Sequence, residues 1–265
     1  MNIPLIVPYF NAPTYVKNLV TWWRWYRPED PVHILSNRAD RIPGFLDPNV
    51  FVHEYAQNAA RQNLATFLAD FKPPWYVISD PDIAPHPATP PWFLDVFRHA
   101  IETHGFHHVG FQLAEHDRLP SWVPPIIRED AARNEAPHHD PGSRFEVAYQ
   151  GATYMGSRAA IDTTFALYCA ANGGWSSPMP GAHWGNSLRI FEAFHLGWYL
   201  PPDPNPEMTH YFETCATPLH LEPVTGKNTY RPAKFYDRAN RQWAEHFATL
   251  PADVRAARVP PKDPA

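Results

Sequence analysis

The first 113 residues alternate short apolar runs with helix-like segments, and this order limits the chain to few folds. Four apolar runs are typical of strands: residues 3–8, 32–35, 51–54 and 75–79. Two segments between them have helical spacing of apolar side chains: residues 14–26 and 56–71. A third helix, ending near His104, and a strand at 108–113 follow. The order predicts an α/β fold with a mostly parallel central sheet flanked by helices.

The fourth apolar run leads directly into two carboxylates separated by one proline, Asp80-Pro81-Asp82. Proline fixes its own φ and keeps the preceding residue extended, so alternate side chains here share a face. Two converging carboxylates repel each other unless a cation lies between them, and Mg²⁺ or Mn²⁺ suits such oxygen ligands. The stretch therefore predicts a metal site at the end of a strand. A surface turn is the alternative, because Ser, Asp and Pro also form turns.

Other polar side chains follow the predicted strands at the same edge. Ligands bind beyond the carboxyl ends of strands in open sheets of this kind. Tyr9 and Asn11 follow the first strand and Asn37 follows the second, where a turn is its other role. Arg61, near the start of its helix, has the charge to bind a phosphate or to form a local salt bridge.

Three segments resemble, in this order, motifs of glycosyltransferases with the GT-A fold. Asp80-Pro81-Asp82 resembles their Asp-X-Asp motif, and residues 161–168 resemble a segment of phage and bacterial members that begins with an Asp, here Asp162. Residues 188–199 resemble a segment with an Arg followed by His-Leu-X-Trp-Tyr. The familiar form of that last motif has proline where this chain has Gly197.

The resemblance implies a Rossmann-like sheet and a metal-dependent transfer of sugar from a nucleotide-diphosphate sugar, UDP-sugar foremost. Asp80 and Asp82 would hold Mn²⁺ or Mg²⁺ on the diphosphate, with His195 as third ligand ahead of His183 and His210. Tyr9, Asn11, Asn37 and Arg61 would approach the nucleotide. Asp162 would face the acceptor, and Glu192 is the rival catalytic base, followed by Glu129 and Asp130.

The acceptor has two interpretations, a glycan or glycoconjugate and a hydroxymethylated pyrimidine in phage DNA. The net charge of −5 favours the first. A local basic groove would favour the second, and five arginines could form it: Arg118, Arg128, Arg133, Arg144 and Arg158. A nucleotidyltransferase and a non-catalytic nucleotide- or sugar-binding module are further alternatives.

The chain is expected to form one domain over residues 1–265. Residues 1–113 would bind the nucleotide-sugar, residues 114–200 the acceptor, and the proline-rich stretch 201–265 would wrap the domain and end in a helix. Residues 115–145 read as a loop, and the cluster His138-His139-Asp140 within it reads as solvated loop rather than as a metal site. No signal peptide or membrane span is expected, and Cys169 and Cys215 suit unpaired thiols in the cytoplasm.

Overall fold

The computed structural model describes residues 2–57, 59–113, 119, 131–132, 135–137, 139–161, 165–175 and 186–196. Their strands are β1 Leu5–Tyr9, β2 Val32–Asn37, β3 Val50–Tyr55, β4 Trp75–Ser79, β5 Ile83–Pro85, β6 His108–Leu113, β7 Arg144–Tyr149, β8 Ala152–Arg158, β9 Phe165–Cys169 and β10 Ser187–His195. Their longer helices are α1 Pro13–Tyr26, α2 Ala60–Phe71 and α3 Phe93–His104. None of these helices has the length and hydropathy that a bilayer crossing requires.

The ten strands form one open sheet, which confirms the α/β class. The order across the sheet is β3-β2-β1-β4-β9-β6-β10-β8-β7, and β5 pairs with the end of β10. The predicted mostly parallel pairing needs correction. Among the described strands, β1–β4 run parallel, but β9 is antiparallel to both of its neighbours, and β7, β8 and β5 also pair antiparallel. The sheet is mixed because antiparallel β9 lies between β4 and β6.

Seven strands nevertheless run in one direction. β1, β2, β3 and β4 are mutually parallel, β6 keeps their direction across β9, β10 is parallel to β6, and β7 has the direction of β10 across β8. Their carboxyl ends therefore meet at one edge of the sheet. Because β8 and β9 run the opposite way, their first residues lie at that same edge. We call it the carboxyl edge.

Helices cover both faces of the sheet. Alternate residues of β1 show this division: Leu5 and Val7 belong to the cluster under α1 and α3, whereas Ile6 packs under α2. Strands β2, β4 and β9 are buried along their whole length, as expected of strands covered on both sides. The larger cluster is strongly aromatic around Trp22, whose ring lies 5.7 to 6.3 Å from neighbouring phenylalanine rings: Phe93, Phe111 and Phe165.

Close backbone approach in the middle of the sheet depends on a glycine. Gly110 on β6 pairs with Ala166 on β9 and with Arg189 on β10. A Cβ added at Gly110 would lie 2.1 Å from the carbonyl oxygen of Phe165. The position therefore has no space for any side chain, and it fixes how closely β9 approaches β6.

A histidine pair lies between β2, β3 and α2. Nδ1 of His33 and Nε2 of His53 are 3.0 Å apart, and His33 is buried among aromatic rings that include Phe67 and Phe71. Burial, reinforced by the neighbouring His53, lowers the pKa of His33 to about 4. Burial also lowers the pKa of His53. Both rings are therefore held neutral.

We expect the fold to lose stability as the pH falls from about 6.5 towards 4. The unfolded chain takes up a proton at His33 near its ordinary pKa, whereas the folded chain resists until about 4, so acid favours unfolding. Allowing for solvent screening, the loss is roughly 2 kcal/mol. Urea unfolding at several pH values measures it. His33→Leu should flatten this slope and His139→Leu, at an exposed position, should not; equal slopes in all three proteins would contradict the assignment.

Candidate functional site

The predicted acidic motif and the predicted histidine meet at the carboxyl edge. Asp80 and Asp82 follow β4, and His195 is the last residue of β10. Strand β5 pairs antiparallel with the end of β10, with Ile83 opposite His195. The Leu196 amide donates to the carbonyl of Asp82 at 2.7 Å, which closes the junction. Two segments distant in sequence are thereby fixed side by side.

The side chains of Asp82 and His195 are in direct contact. Oδ2 of Asp82 lies 3.2 Å from Nδ1 of His195; the two side chains are 18% and 23% exposed overall, whereas Nδ1 itself is shielded from solvent. The contact is an ion pair whenever the imidazole carries a proton. A carboxylate oxygen and an imidazole nitrogen that converge in this way can also bind one cation together, and Mn²⁺ accepts this pair of donors. We call Asp82 and His195 the acid–histidine pair.

The described residues contain no complete protein cage for a metal. Within the part of the chain that the structure describes, no three His, Cys, Asp or Glu side chains group closely enough to hold an ion. The acid–histidine pair fits a cation that takes its other ligands from a substrate. Mg²⁺ usually binds in this manner, through one or two carboxylates plus substrate phosphates and water. The predicted role of Asp80 as a further ligand stays a prediction; its side chain is partly exposed.

Glu192 lies next to a distortion in β10. Arg189 pairs with Gly110 of β6, and Glu192 pairs with Gln112. Two residues of β10, Ile190 and Phe191, therefore stand opposite one residue of β6, so β10 bulges. Phe191 has a φ of 62°, which costs a non-glycine residue about 1 kcal/mol. Bulges redirect side chains and are frequent beside active sites. The carbonyl of Glu192 accepts from the His86 amide at 2.9 Å, so the bulge is tied to the segment after β5.

Tyr9 and Asn11 are buried and support the loop after β2. The Tyr9 hydroxyl donates to the carbonyl of Arg41. The Asn11 side-chain oxygen accepts from the amides of Asp40 and Arg41, at 3.0 and 3.1 Å. Asn11 also has a φ of 45°, a conformation that Asn tolerates better than most residues. Both side chains hold the backbone of the loop after β2, and their predicted contact with a ligand stays a prediction.

Asn11→Ala should loosen this loop. The change removes the acceptor for two backbone amides and should lower the free energy of unfolding by about 1 to 2 kcal/mol. Urea unfolding measures the loss. Asn11→Asp keeps an acceptor oxygen and tolerates the same backbone, so it should retain most of the stability. Equal stabilities for the Ala variant and the unmodified chain would show that the two hydrogen bonds are dispensable.

Asn37 and Arg61 differ in accessibility. Asn37 is buried, and its side-chain oxygen accepts from Nδ2 of Asn63 on α2 at 2.6 Å. That contact ties β2 to α2 and uses the group predicted to recognise a base. Arg61 is exposed on the first turn of α2, which starts from the carboxyl edge, so its cation is accessible to a ligand.

Several predicted residues lie outside the described part of the chain. They are the catalytic candidate Asp162, its rivals Glu129 and Asp130, and the histidines His138, His183 and His210. Asp162 immediately follows Ile161 and precedes β9, whose first residue, Phe165, pairs with Ser79 just before the acidic motif. Of the cluster at 138–140, Asp140 accepts from the Gly142 amide at 3.0 Å and caps a short turn.

Sequence reasoning missed two features of the site. One is β5, whose three residues place Asp82 against His195. The other is the β7–β8 hairpin, which brings Tyr154 to the carboxyl edge, where its hydroxyl accepts from Nε1 of Trp92 at 2.9 Å. The hairpin turns at Gln150 and Gly151, which both have positive φ, at 49° and 79°. Asn or Asp usually precedes the glycine of such a turn, so Gln150-Gly151 is a weak turn signal in the sequence.

No protein-family model matches the chain, and no curated protein matches it either.

Proposed function

We propose that the chain is a metal-dependent glycosyltransferase that moves a sugar from a nucleotide-diphosphate sugar to a hydroxyl acceptor. The acid–histidine pair carries the proposal: β5 holds Asp82 against His195 at the carboxyl edge of an α/β sheet. The GT-A resemblance expects a carboxylate and a later histidine in the same metal shell. Their contact is not implied by their positions in sequence, so it supports the resemblance independently.

The roles of the residues follow from their positions. Asp82 and His195 would hold Mn²⁺ or Mg²⁺, and Asp80 would join them only if its carboxylate came closer to the pair than the described geometry places it. When bound, the cation would neutralise negative charge that develops on the departing diphosphate. Arg61, exposed at the start of α2, would add a charge-assisted contact to a phosphate. The loop supported by Tyr9 and Asn11 would position the base and ribose.

A hydroxyl acceptor also requires a base. Asp162 comes three residues before β9 in the chain, and Glu192 lies on β10 next to its bulge, three residues before His195. Each would accept the proton of the attacking hydroxyl if it lies within hydrogen-bonding reach of the bound acceptor. Asp162→Asn and Glu192→Gln, compared in one transfer assay, separate them: the variant that loses turnover while retaining donor binding identifies the base.

A glycan or glycoconjugate acceptor is favoured over DNA. Two of the five arginines proposed for a basic groove, Arg144 and Arg158, lie at the start of β7 and the end of β8, which is the edge opposite the acid–histidine pair. Arg158 is moreover stacked over the ring of Phe145 at 4.7 Å. These two cations are therefore badly placed to hold a DNA backbone at the site.

A thermal-shift screen tests the donor class. UDP-, GDP-, CMP- and dTDP-sugars are added with and without Mn²⁺, and we expect one nucleotide to raise the melting temperature strongly only when the metal is present. Release of nucleoside diphosphate on incubation then establishes transfer or hydrolysis. Release of pyrophosphate from a nucleoside triphosphate incubated with a sugar 1-phosphate would indicate a nucleotidyltransferase instead. Tight binding without turnover would indicate a binding module, and no nucleotide-dependent shift would refute the proposal.

A further inference from the structure

A half-exposed tryptophan at the carboxyl edge is fixed in one orientation. Trp92 precedes α3, and its side chain is 46% exposed. Its Nε1 donates to the hydroxyl of Tyr154 on β8 at 2.9 Å. We call Trp92 and Tyr154 the aromatic ledge. An exposed indole usually changes rotamer freely, whereas this hydrogen bond holds the ring in place.

The ledge is supported from beneath by the bulge of β10. Tyr154 meets Phe191 edge to face, with ring centroids 5.3 Å apart, and Phe191 stacks on Phe97 of α3 at 6.0 Å. The strained residue of β10 therefore contributes a ring to this support. The pairing of rings from α3, β8 and β10 makes the ledge a prebuilt platform rather than a loose surface side chain.

The ledge and the acid–histidine pair lie along the same strand. Tyr154 contacts β10 at Phe191, and Asp82 contacts it at His195. At the usual rise of a strand, these two points are roughly 13 Å apart. Strand β5 and strand β8 pair with the same side of β10, one after the other. A second sugar ring on the ledge would thus approach the donor from the side of β8.

The charge around the ledge selects against nucleic acid. Residues 83–97, which carry Trp92, contain neither Lys nor Arg and include Asp95. Residues 145–157, which carry Tyr154, also contain neither, and they include Glu146. Arg189 on β10 is buried, with its guanidinium donating to the carbonyl of Ala160. Polyanions depend on accessible Lys and Arg side chains for affinity, whereas neutral sugar rings pack on aromatic faces without such cations.

We infer that the aromatic ledge is an acceptor subsite that binds a neutral pyranose ring by stacking on Trp92. The assignment of the bound sugar as the acceptor rests on the proposed function, but binding of the sugar itself does not depend on catalysis. The neutral ring would bury the apolar face of the indole, and the Tyr154 hydroxyl would hold the indole in position.

Saturation-transfer NMR with methyl β-glucopyranoside, methyl β-galactopyranoside and methyl α-mannopyranoside tests the subsite without any donor. We expect at least one glycoside to receive saturation from the protein. Trp92→Ala should weaken its binding about five- to tenfold, the usual effect of one lost stacking contact. Tyr154→Phe, which removes only the hydroxyl that holds the indole, should give a smaller loss. Met155→Ala is the matched control, since Met155 is exposed on the next position of β8 and points to the other face.

The outcomes separate the subsite from the proposed function. Glycoside binding that is unchanged in Trp92→Ala, or absent with all three probes, overturns the subsite even if a nucleotide and Mn²⁺ still stabilise the protein. Glycoside binding lost in Trp92→Ala supports the subsite even if no nucleotide binds. Single-stranded DNA that competes with the glycoside and loses affinity in the same variant would reassign the ledge to a nucleobase.

Discussion

Asp82→Asn should reduce sugar transfer, or hydrolysis of the donor, by at least about 100-fold. The substitution keeps the shape of the side chain but removes the charge that would help hold a divalent cation against the diphosphate. It also puts an amide nitrogen or a neutral amide oxygen in place of the Asp82 carboxylate oxygen that faces His195. Initial rates with a saturating donor and Mn²⁺ measure the change. The same variant should lose the metal-dependent part of the nucleotide thermal shift.

A matched variant controls for the general effect of removing a carboxylate. Glu102→Gln neutralises an exposed acid on α3 that pairs with Arg98, at 2.7 Å and away from the carboxyl edge. Its rate should equal that of the unmodified chain. Full activity in Asp82→Asn would eliminate the metal role of this residue, and an equal loss in both variants would point to a nonspecific effect of charge.

Gly110→Ala should be the most destabilising small substitution in the sheet. The new methyl group would lie 2.1 Å from the Phe165 carbonyl, against backbone on a strand that is paired on both sides. Strands β6 and β9 must separate to admit it, which we expect to cost about 3 kcal/mol. For a chain of this size the melting temperature should fall by roughly 6 to 12 °C.

Gly44→Ala provides the comparison. A Cβ at Gly44 meets no atom within 4 Å, and its backbone is not in the left-handed region. Its stability should therefore change by less than about 1 kcal/mol, with a small gain expected from the stiffer unfolded chain. Similar melting temperatures for the two variants would mean that β6 and β9 do not approach as closely as the structure shows.

Strands that carry their own apolar signal could be predicted from sequence. The predicted bounds of β4 and β6 agree with the structure, because each is a buried run between strong breakers or charged residues. The helix predicted at 56–71 begins at Ala60 in the structure, four residues later than predicted. No side chain caps it, so the sequence marks its start only weakly.

Features that depend on partners distant in sequence could not be predicted. Strand β5 is three residues long and ends in proline, so it reads as a turn until β10 pairs with it. The apolar residues of β9 do not indicate that it runs antiparallel to β4 and β6. The candidate site shows the same division. The acidic motif is visible locally, the association of Asp82 with His195 came only from the family resemblance, and the ledge gave no local signal.

The pairing of β5 with β10 also determines when a site can exist. Residues 82 and 195 are separated by roughly 110 positions, and contacts of such separation form late because the loop between them must close first. A chain leaving the ribosome would expose its acidic motif long before His195 was made. The nucleotide half could therefore not bind donor in its final geometry on its own, and activity would begin only once β10 had taken its place between β6 and β8. Under the proposed function, an incomplete chain would therefore not consume donor before β10 is in place.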